Sequence, residues 1–331
     1  MRVLVTGATG LLGANVVRAL LKAGHTVRAG VRASSNRLAL EGLPVEISRL
    51  TLDEQASVAG SVAGCDAVVH AAAAVWIGRS GRAWMERVNV DGTEAVCRAA
   101  SANGVLRMVH VSSVDALGIR SFERPADEEC PPNLADLGCP YVDTKRAAEE
   151  VVLRHVGQGL PAVIVNPGFM LGPWDTRPTS GRMILEIARG WAFLAPRGGN
   201  CFLDVRDAAI GVVAALERGQ VGRRYILGGK NLTYLEAWRR IARIIGRRGP
   251  FGTAPTAGTW LIGRAAGWWG LLSGEEPAIN PVSVAMGELP HFFDSARARA
   301  ELGFPETDFE LAVSDAWRWF RQHGYARWSE R

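Results

Sequence analysis

The chain has 331 residues, 48% hydrophobic and 21% charged, with a formal net charge of +5. This is ordinary for a globular enzyme with a large core and excludes a disordered or fibrous chain. The basic residues form no block: the densest stretch, Arg239 to Arg248, carries Ile241, Ile244 and Ile245 between its charges and reads as a helix face, so no nucleic-acid partner is expected.

In chain order, Arg2 to Thr6 is a short apolar strand. It is reached without a basic and then apolar leader, so no secretory signal and a cytoplasmic location are expected. Leu11 to Ala23 has helical spacing and ends at Gly24; His25 to Val31 and Val45 to Ile47 are further strands. A helix around Glu54 to Ala63 precedes a strand at Asp66 to His70. Helices at Asn89 to Asn103 and Tyr141 to His155 alternate with strands at Arg107 to Ser112 and Ala162 to Asn166. Strands alternating with crossover helices predict a parallel sheet covered on both faces. Regularity falls after Pro167, with a helix at Met183 to Arg189, a returning strand at Arg223 to Leu227, and helices at Ser295 to Leu302 and Phe309 to His323. No apolar run reaches spanning length; Thr259 to Leu272 is the nearest and is interrupted by Arg264. The five cysteines have no CxxC spacing, so neither a metal site nor a disulfide framework is expected.

After the first strand comes TGATGLLG, with Gly7, Gly10 and Gly13. Gly7 permits a tight turn out of the strand. Gly10 lets the backbone approach a pyrophosphate at the positive end of the next helix, and Gly13 lets that helix pack closely on the strand. At the first strand of an alternating pattern, this is a dinucleotide loop. The second strand ends in TVRAGVRASSNR, with no carboxylate for ribose hydroxyls. Arg32, just beyond it, suits a 2′-phosphate that a carboxylate would repel. NADP(H) is therefore expected, with NAD as the alternative; Arg28 and Arg37 are weaker candidates for the same role.

PYVDTKRAAEE places Tyr141 and Lys145 four residues apart, on one helix face. A free tyrosine ionises near pH ~10, and a nearby ammonium favours the phenolate. Such a pair can pass a proton to or from a substrate oxygen while a nicotinamide moves a hydride. In MVHVSSVDALG, Ser112 and Ser113 stand at the carboxyl edge of a strand, where ligands bind in such sheets. Either hydroxyl can meet the substrate oxygen, and Ser113 is favoured. Asp115 reads as a substrate contact, an acid or a solvated loop carboxylate.

Together these segments resemble the extended and atypical short-chain dehydrogenase/reductase superfamily, and within it dihydroflavonol-reductase-like and hopanoid-associated sugar-epimerase-like proteins. The resemblance covers nearly the whole chain, through TGATGLLG, HAAAAV, NVDGT, VSSVDALG, PYVDTK, VNPGFMLGP, FLDVRDAA and HFFDSARARAELGF. It implies an α/β fold, a Rossmann-type doubly wound parallel sheet with a smaller C-terminal substrate lobe. Residues 1–166 would form the dinucleotide-binding domain, with later segments returning to it, and 167–331 mainly the lobe. The implied catalytic set is Ser113, Tyr141 and Lys145. The implied cofactor contacts are Gly7, Thr9, Gly10, Leu11, Leu12, Gly13, Arg32, Ala71, Ala72, Tyr141, Lys145, Asn166, Pro167 and Gly168. Asn89 matches a position beside that site. Pairing of helices 89–103 and 141–155 across an axis would give a homodimer.

Two departures bear on chemistry. Related members carry Gly-Asp-Leu after the third strand, where this chain reads RLTLDE with Thr51, so the adenine contact falls to Asp53 or Glu54 if to any acid. Many sugar-nucleotide epimerases end the second strand in Asp, absent here, which shifts weight toward a reductase. The C-terminal half is rich in aromatics (Phe169, Trp174, Trp191, Phe193, Phe202, Trp260, Trp268, Trp269), in keeping with a largely hydrophobic small-molecule substrate. Asp115, Phe169, Thr179, Ser180 and Arg182 are the candidate substrate contacts. The leading expectation is an NADP(H)-dependent oxidoreductase that reduces a carbonyl or oxidises an alcohol. The alternatives are a nucleotide-sugar epimerase or dehydratase that retains NAD(P), a non-catalytic dinucleotide-binding protein, and a membrane-surface protein using Thr259 to Leu272.

Overall fold

A computed structural model describes residues 1–255, 258 and 275–326. Four short apolar runs, β1 (Arg2–Thr6), β4 (Ala67–His70), β5 (Arg107–Val111) and β6 (Ala162–Pro167), are buried almost throughout. Strands covered on both faces need such continuous hydrophobic runs. With β2 (Thr26–Val31), β3 (Val45–Arg49) and β10 (Arg224–Leu227) they form a seven-stranded sheet in the order β10-β6-β5-β4-β1-β2-β3. Every pairing in it is parallel. The order reverses at β1, which opens a crevice at the carboxyl ends of β1 and β4.

On one face, α1 (Leu11–Lys22) and α7 (Val205–Arg218) bury Leu12, Val16, Leu20, Val212 and Leu216 against Val3, Val5 and Val69. On the other, α2 (Gln55–Val62), α4 (Gly92–Ala102) and α5 (Pro140–Gly157) bury Val58, Val96, Val151 and Val152 against Leu4, Met108 and Ile164. Each such side chain contributes about 1.5–3 kcal/mol when fully buried. Both β10 and α7 belong to the C-terminal half, so the chain returns to the first sheet after leaving it.

The helix expected from Asn89 begins earlier. It starts as α3 (Arg82–Met85) and passes through a π-helical turn at Glu86–Asp91 before α4. The extra residue of a π turn re-aims a side chain; here Asn89 is turned inward and buried. Strands β7 (Phe169–Leu171), β9 (Gly199–Asp204), β11 (Lys230–Thr233) and β13 (Pro290–His291) make a second sheet. It packs with α6 (Arg182–Ala188), α8 (Tyr234–Ile244) and α11 (Phe309–Gln322) around Leu171, Ile184, Phe202, Ile241 and Phe320. A short pair, β8 (Leu194–Ala195) and β12 (Gly252–Thr253), lies apart from it. The segment through α9 (Pro281–Gly287), β13 and α10 (Ala296–Leu302) crosses back toward the first sheet; Phe292 and Asp294 exchange backbone hydrogen bonds with Ala126. Of the aromatics expected in the lobe, Phe202 is core, whereas Trp191 and Phe193 are exposed. Thr259 to Leu272, with Trp260, Trp268 and Trp269, lies outside the described residues. No helix among the described residues is long and apolar enough to cross a membrane.

Candidate active site

The loop between β1 and α1 is built as its sequence requires. Gly7 has φ +67°, and a Cβ at Gly13 would sit 2.1 Å from the Gly7 carbonyl oxygen, so the helix start fits against the strand end only without a side chain. Helix α1 begins with no side-chain cap and no acid in its first turn. Its leading amides, at Leu11, Leu12 and Gly13, therefore suit an anion. Thr9 and the start of α1 are covered by a turn from the lobe: Asn15 donates to the Pro173 carbonyl (3.0 Å) and Thr176 to that of Thr9 (3.4 Å). Trp174 in that turn holds φ 73°, with the Arg18 guanidinium 3.7 Å from its ring centre. These features fit a dinucleotide pyrophosphate. Arg32 is exposed at the end of β2, and its guanidinium has no ion-pair partner among the described residues. Arg28, the weaker candidate, is buried and committed elsewhere: it donates to Glu46 (3.0 Å) and to the carbonyls of Ser61 and Ala63. Thr51 donates its backbone amide to Ser57 Oγ (3.1 Å), Asp53 is exposed, and Glu54 stands at the start of α2.

Beneath the crevice lies a buried polar chain that the sequence reading did not assemble. Thr6 Oγ1 bonds His70 Nδ1 (2.8 Å), His70 Nε2 bonds Thr93 (3.1 Å), and Thr93 donates to the Asn89 carbonyl (2.6 Å). Asn89 holds both backbone groups of Ala74 and donates to Thr144 (3.0 Å) on α5. Ala72 donates to Thr6 Oγ1 (3.1 Å). The 71–74 loop and the helix carrying Tyr141 and Lys145 are thus fixed to one framework. Burial, then the Lys145 charge, pushes His70 down to about 3. It works as a neutral connector.

Pro140 at the first turn sets the start of α5. Tyr141 is half-buried and, like Met286 and Leu289, packs against the cluster of Leu134, Cys139, Val142 and Val282; Ser113 stands near its phenol. Ser113 donates to Asp115 Oδ2 (3.1 Å) and accepts from the Asp115 amide (3.2 Å). Ser112, the other candidate, is buried with no partner for its hydroxyl among the described residues. Lys145 is buried and donates to the Val111 carbonyl (2.7 Å). Burial pushes it down to about 8, against the opposing pull of Glu149. The phenol of Tyr141 stands above its usual range, first through burial and then through the Asp115 charge; Ser113 opposes both. A phenol lowered by the lysine was expected. Here the ammonium is turned to Val111, and desolvation with a carboxylate decides the direction.

Asn166 spends its amide on the Ser113 carbonyl (2.9 Å) and Glu149 (2.6 Å), while Arg224 closes on Glu149 (2.6 Å). Glu149 was missed by the sequence reading; its position one turn after Lys145 was the available signal. Pro167 ends β6, and a Cβ on Gly168 would come 2.5 Å from the Cys201 carbonyl, so the chain passes tightly into β7. Phe169 stacks edge-on to Phe202 at 5.2 Å. Asp175 accepts from the amides of Thr179 and Gly181 (3.1 Å each). Ser180 donates to the Met170 carbonyl (2.5 Å). Arg182 lies on the surface of α6, paired with Glu186 (3.4 Å). All five cysteines are free and buried, and no metal-holding cluster occurs among the described residues.

The model of the NAD dependent epimerase/dehydratase family matches residues 3–228. This chain belongs to that family. It is 35% identical to a putative dihydroflavonol 4-reductase of Synechocystis sp., over 98% of this chain and 95% of the relative. It is also 35% identical to a 4-hydroxy-2-methyl-3-oxo-4-farnesyl-3,4-dihydroquinoline-1-oxide ketoreductase of Stigmatella aurantiaca, over 69% of this chain and 68% of that one. The solved structure of a nucleoside-diphosphate-sugar epimerase from Pseudomonas aeruginosa superposes with a TM-score of 0.82 at 30% identity, covering 98% and 99% of the two chains. As a family member the chain is an NAD(P)-dependent oxidoreductase of the short-chain dehydrogenase/reductase superfamily.

Proposed function

We propose that this enzyme is an NADP(H)-dependent reductase of a ketone on a largely hydrophobic small molecule, working also in the alcohol-oxidising direction. One observation carries the reading: Tyr141 and Lys145 share one face at the start of α5, with Ser113, just beyond the carboxyl end of β5, near enough to act on the phenol. The two curated relatives above are named as reductases, which favours net reduction. Arg32, with no acid at the end of β2, favours the 2′-phosphate of NADP(H).

The crevice beside Gly7, Gly10 and Gly13 would hold the pyrophosphate. A bound NADPH supplies a hydride to the carbonyl carbon. Ser113 and Tyr141 hold the carbonyl oxygen, and Tyr141 gives it a proton as charge develops there. The raised phenol keeps that proton until an alkoxide, a stronger base, is forming. Lys145, four residues on along the same helix face, supplies positive charge that favours the phenolate left behind. Phe169, packed on Phe202, and Met286 and Leu289, which share an apolar cluster with Tyr141, favour an apolar substrate. Asp115, and the turn carrying Thr179 and Arg182, supply the polar contacts.

The test is a panel of ketones and nucleotide sugars assayed by NADPH absorbance with product analysis. Stoichiometric NADPH loss with alcohol formation is expected. A sugar product epimerised without net cofactor change would overturn the reading in favour of the epimerase the P. aeruginosa likeness represents. We also propose a homodimer through the face of α4 and α5, where Val90, Glu94, Val151 and Arg154 line a groove. Light scattering at micromolar concentration should give twice the 35.6 kDa chain mass; the single mass would refute it.

A further inference from the structure

Four large apolar side chains stand exposed around one short element of the lobe. Strands β8 and β12 pair in parallel, Leu194 with Gly252 and Ala195 with Thr253. At one end of the pair Phe251 donates its amide to the Phe193 carbonyl (3.0 Å), and at the other Ala254 donates to that of Ala195 (2.8 Å). The backbone is thus held at both ends, while Phe193, Leu194 and Phe251 are 62%, 47% and 77% exposed. Trp191, two residues before Phe193, is 71% exposed. Single exposed apolar residues are ordinary, whereas a group of them marks a contact surface.

The charge around this group has one sign. Residues 187–203 and 237–255, which carry it, contain no acid and no lysine, but two arginines in the first stretch and five in the second. Arg239 donates to the carbonyls of Pro250 (3.2 Å) and Phe251 (2.9 Å), and Arg197 to that of Ala254 (3.2 Å), so both guanidiniums lie against β12. Arg189 stands 5.9 Å from the Trp191 ring centre; its acid partner, Glu186 (2.9 Å), is shared with Arg182. Arg240 pairs with Glu310 (3.0 Å). Arg247 and Arg248 are exposed in the loop that leads into β12, and Arg243 is exposed one turn on from Arg239 along α8. None of these last three has an ion-pair partner among the described residues. A two-fold contact with a second copy would set these arginines against themselves. A bilayer with anionic headgroups meets both features at once. Its interface takes up exposed aromatic and leucine side chains, and its surface charge attracts arginine.

We propose that the surface of Trp191, Phe193, Leu194 and Phe251, flanked by Arg243, Arg247 and Arg248, docks this enzyme reversibly on the face of a bilayer that contains anionic phospholipid. The apolar side chains enter the headgroup boundary, and the guanidiniums meet lipid phosphates, for which their planar donor fork is suited. An apolar small molecule partitions into the same layer, so docking brings the enzyme to where such a substrate is concentrated.

The test is flotation of the full chain with vesicles of phosphatidylcholine containing about one-third phosphatidylglycerol, and with vesicles of phosphatidylcholine alone. Binding is read without turnover, so it does not depend on the reaction catalysed. The chain should float with the anionic vesicles and bind the neutral ones at least about tenfold more weakly. Binding should fall as salt rises from about 0.1 M to about 1 M, where the screening length drops from about 10 Å to about 3 Å. Trp191→Ser with Phe251→Ser should weaken binding to the anionic vesicles at least about tenfold, through lost apolar burial. Arg247→Ala with Arg248→Ala should weaken it about thirtyfold, at about fivefold per arginine. All four positions are exposed, so both double variants should keep the parent urea midpoint. Absence of flotation with anionic vesicles, equal binding to neutral ones, or binding that survives both pairs of substitutions would overturn the inference. So would a lower solution mass for the variant carrying Trp191→Ser and Phe251→Ser, which would mean that a second copy of the chain covers this surface.

Discussion

At the level of single residues, the raised Tyr141 phenol and the lowered Lys145 ammonium point to one direction of proton flow. Tyr141→Phe removes the hydroxyl alone, so turnover should fall by about 10²–10⁴ with NADPH affinity kept; retention of more than about a tenth of the parent rate would disprove the role. Lys145 is protonated below about 8. Reduction should therefore slow as pH rises through that value, because the phenolate loses its supporting charge. A reduction profile flat to pH ~9.5 would contradict this, since a lysine titrating near 8 is more than nine-tenths neutral there. Arg32→Ala should weaken NADPH by about 1.5–3 kcal/mol and leave NADH alone; equal affinities for the two cofactors in the parent would remove the argument. Local geometry was legible: the turn at Gly7, the close packing at Gly13 and the shared helix face of Tyr141 and Lys145 each follow from neighbours within one turn. His70 and Glu149 were not, because their partners come from distant segments. A histidine ending each of the apolar runs AVVH and RMVH was the visible trace of the first of these.

At the level of elements, the alternating strands and helices of the first half were readable because each buries a continuous apolar face. The π turn at Glu86–Asp91 was not, since ERVNVDGT keeps ordinary helical spacing and only the packing of Asn89 against Ala74 and Thr144 selects the wider turn. The turn from Pro173 to Gly181 also read as mere irregular chain, yet it is fixed by a buried carboxylate. Burial pushes Asp175 up to about 6, against the Thr179 and Gly181 amides that favour its charge. For an acid raised on folding, the folded state keeps a proton that the unfolded state has lost, so stability falls as pH rises from about 4 to 6 and stays reduced above. Asp175→Asn retains an acceptor and removes the charge. It should stabilise the protein by about 1–3 kcal/mol at pH 7.5, with the gain gone near pH 4. Urea unfolding at both pH values decides this; an equal loss of stability at both would show that the hydrogen bonds outweigh the charge.

Across the whole molecule, the same bookkeeping predicts how acid undoes the fold. The sheet's interior holds two histidines on neighbouring strands, paired in register with ring centres 5.5 Å apart. Burial and the Lys145 charge hold His70 down to about 3 and keep His110 well below its ordinary value. Both are neutral in the folded protein, whereas the unfolded chain binds a proton at each below about 6.5. Their contribution is therefore complete above that value and is lost as pH falls toward 3. By pH 5 His70 should have cost about 2 kcal/mol, with His110 adding to the loss and Asp175, titrating the opposite way, returning about 1. This is a sizeable part of the 5–15 kcal/mol typical of a domain. His110 tests the account cleanly, because neither of its ring nitrogens has a hydrogen-bond partner among the described residues. Replacing it with leucine removes no polar contact and one proton site. His110→Leu should match the parent at pH 7.5 and lose less stability on going to pH 5. Urea midpoints across that range measure the difference. Parallel acid profiles for the two proteins would mean that His110 already takes up its proton in the folded sheet, and that acid unfolding begins elsewhere.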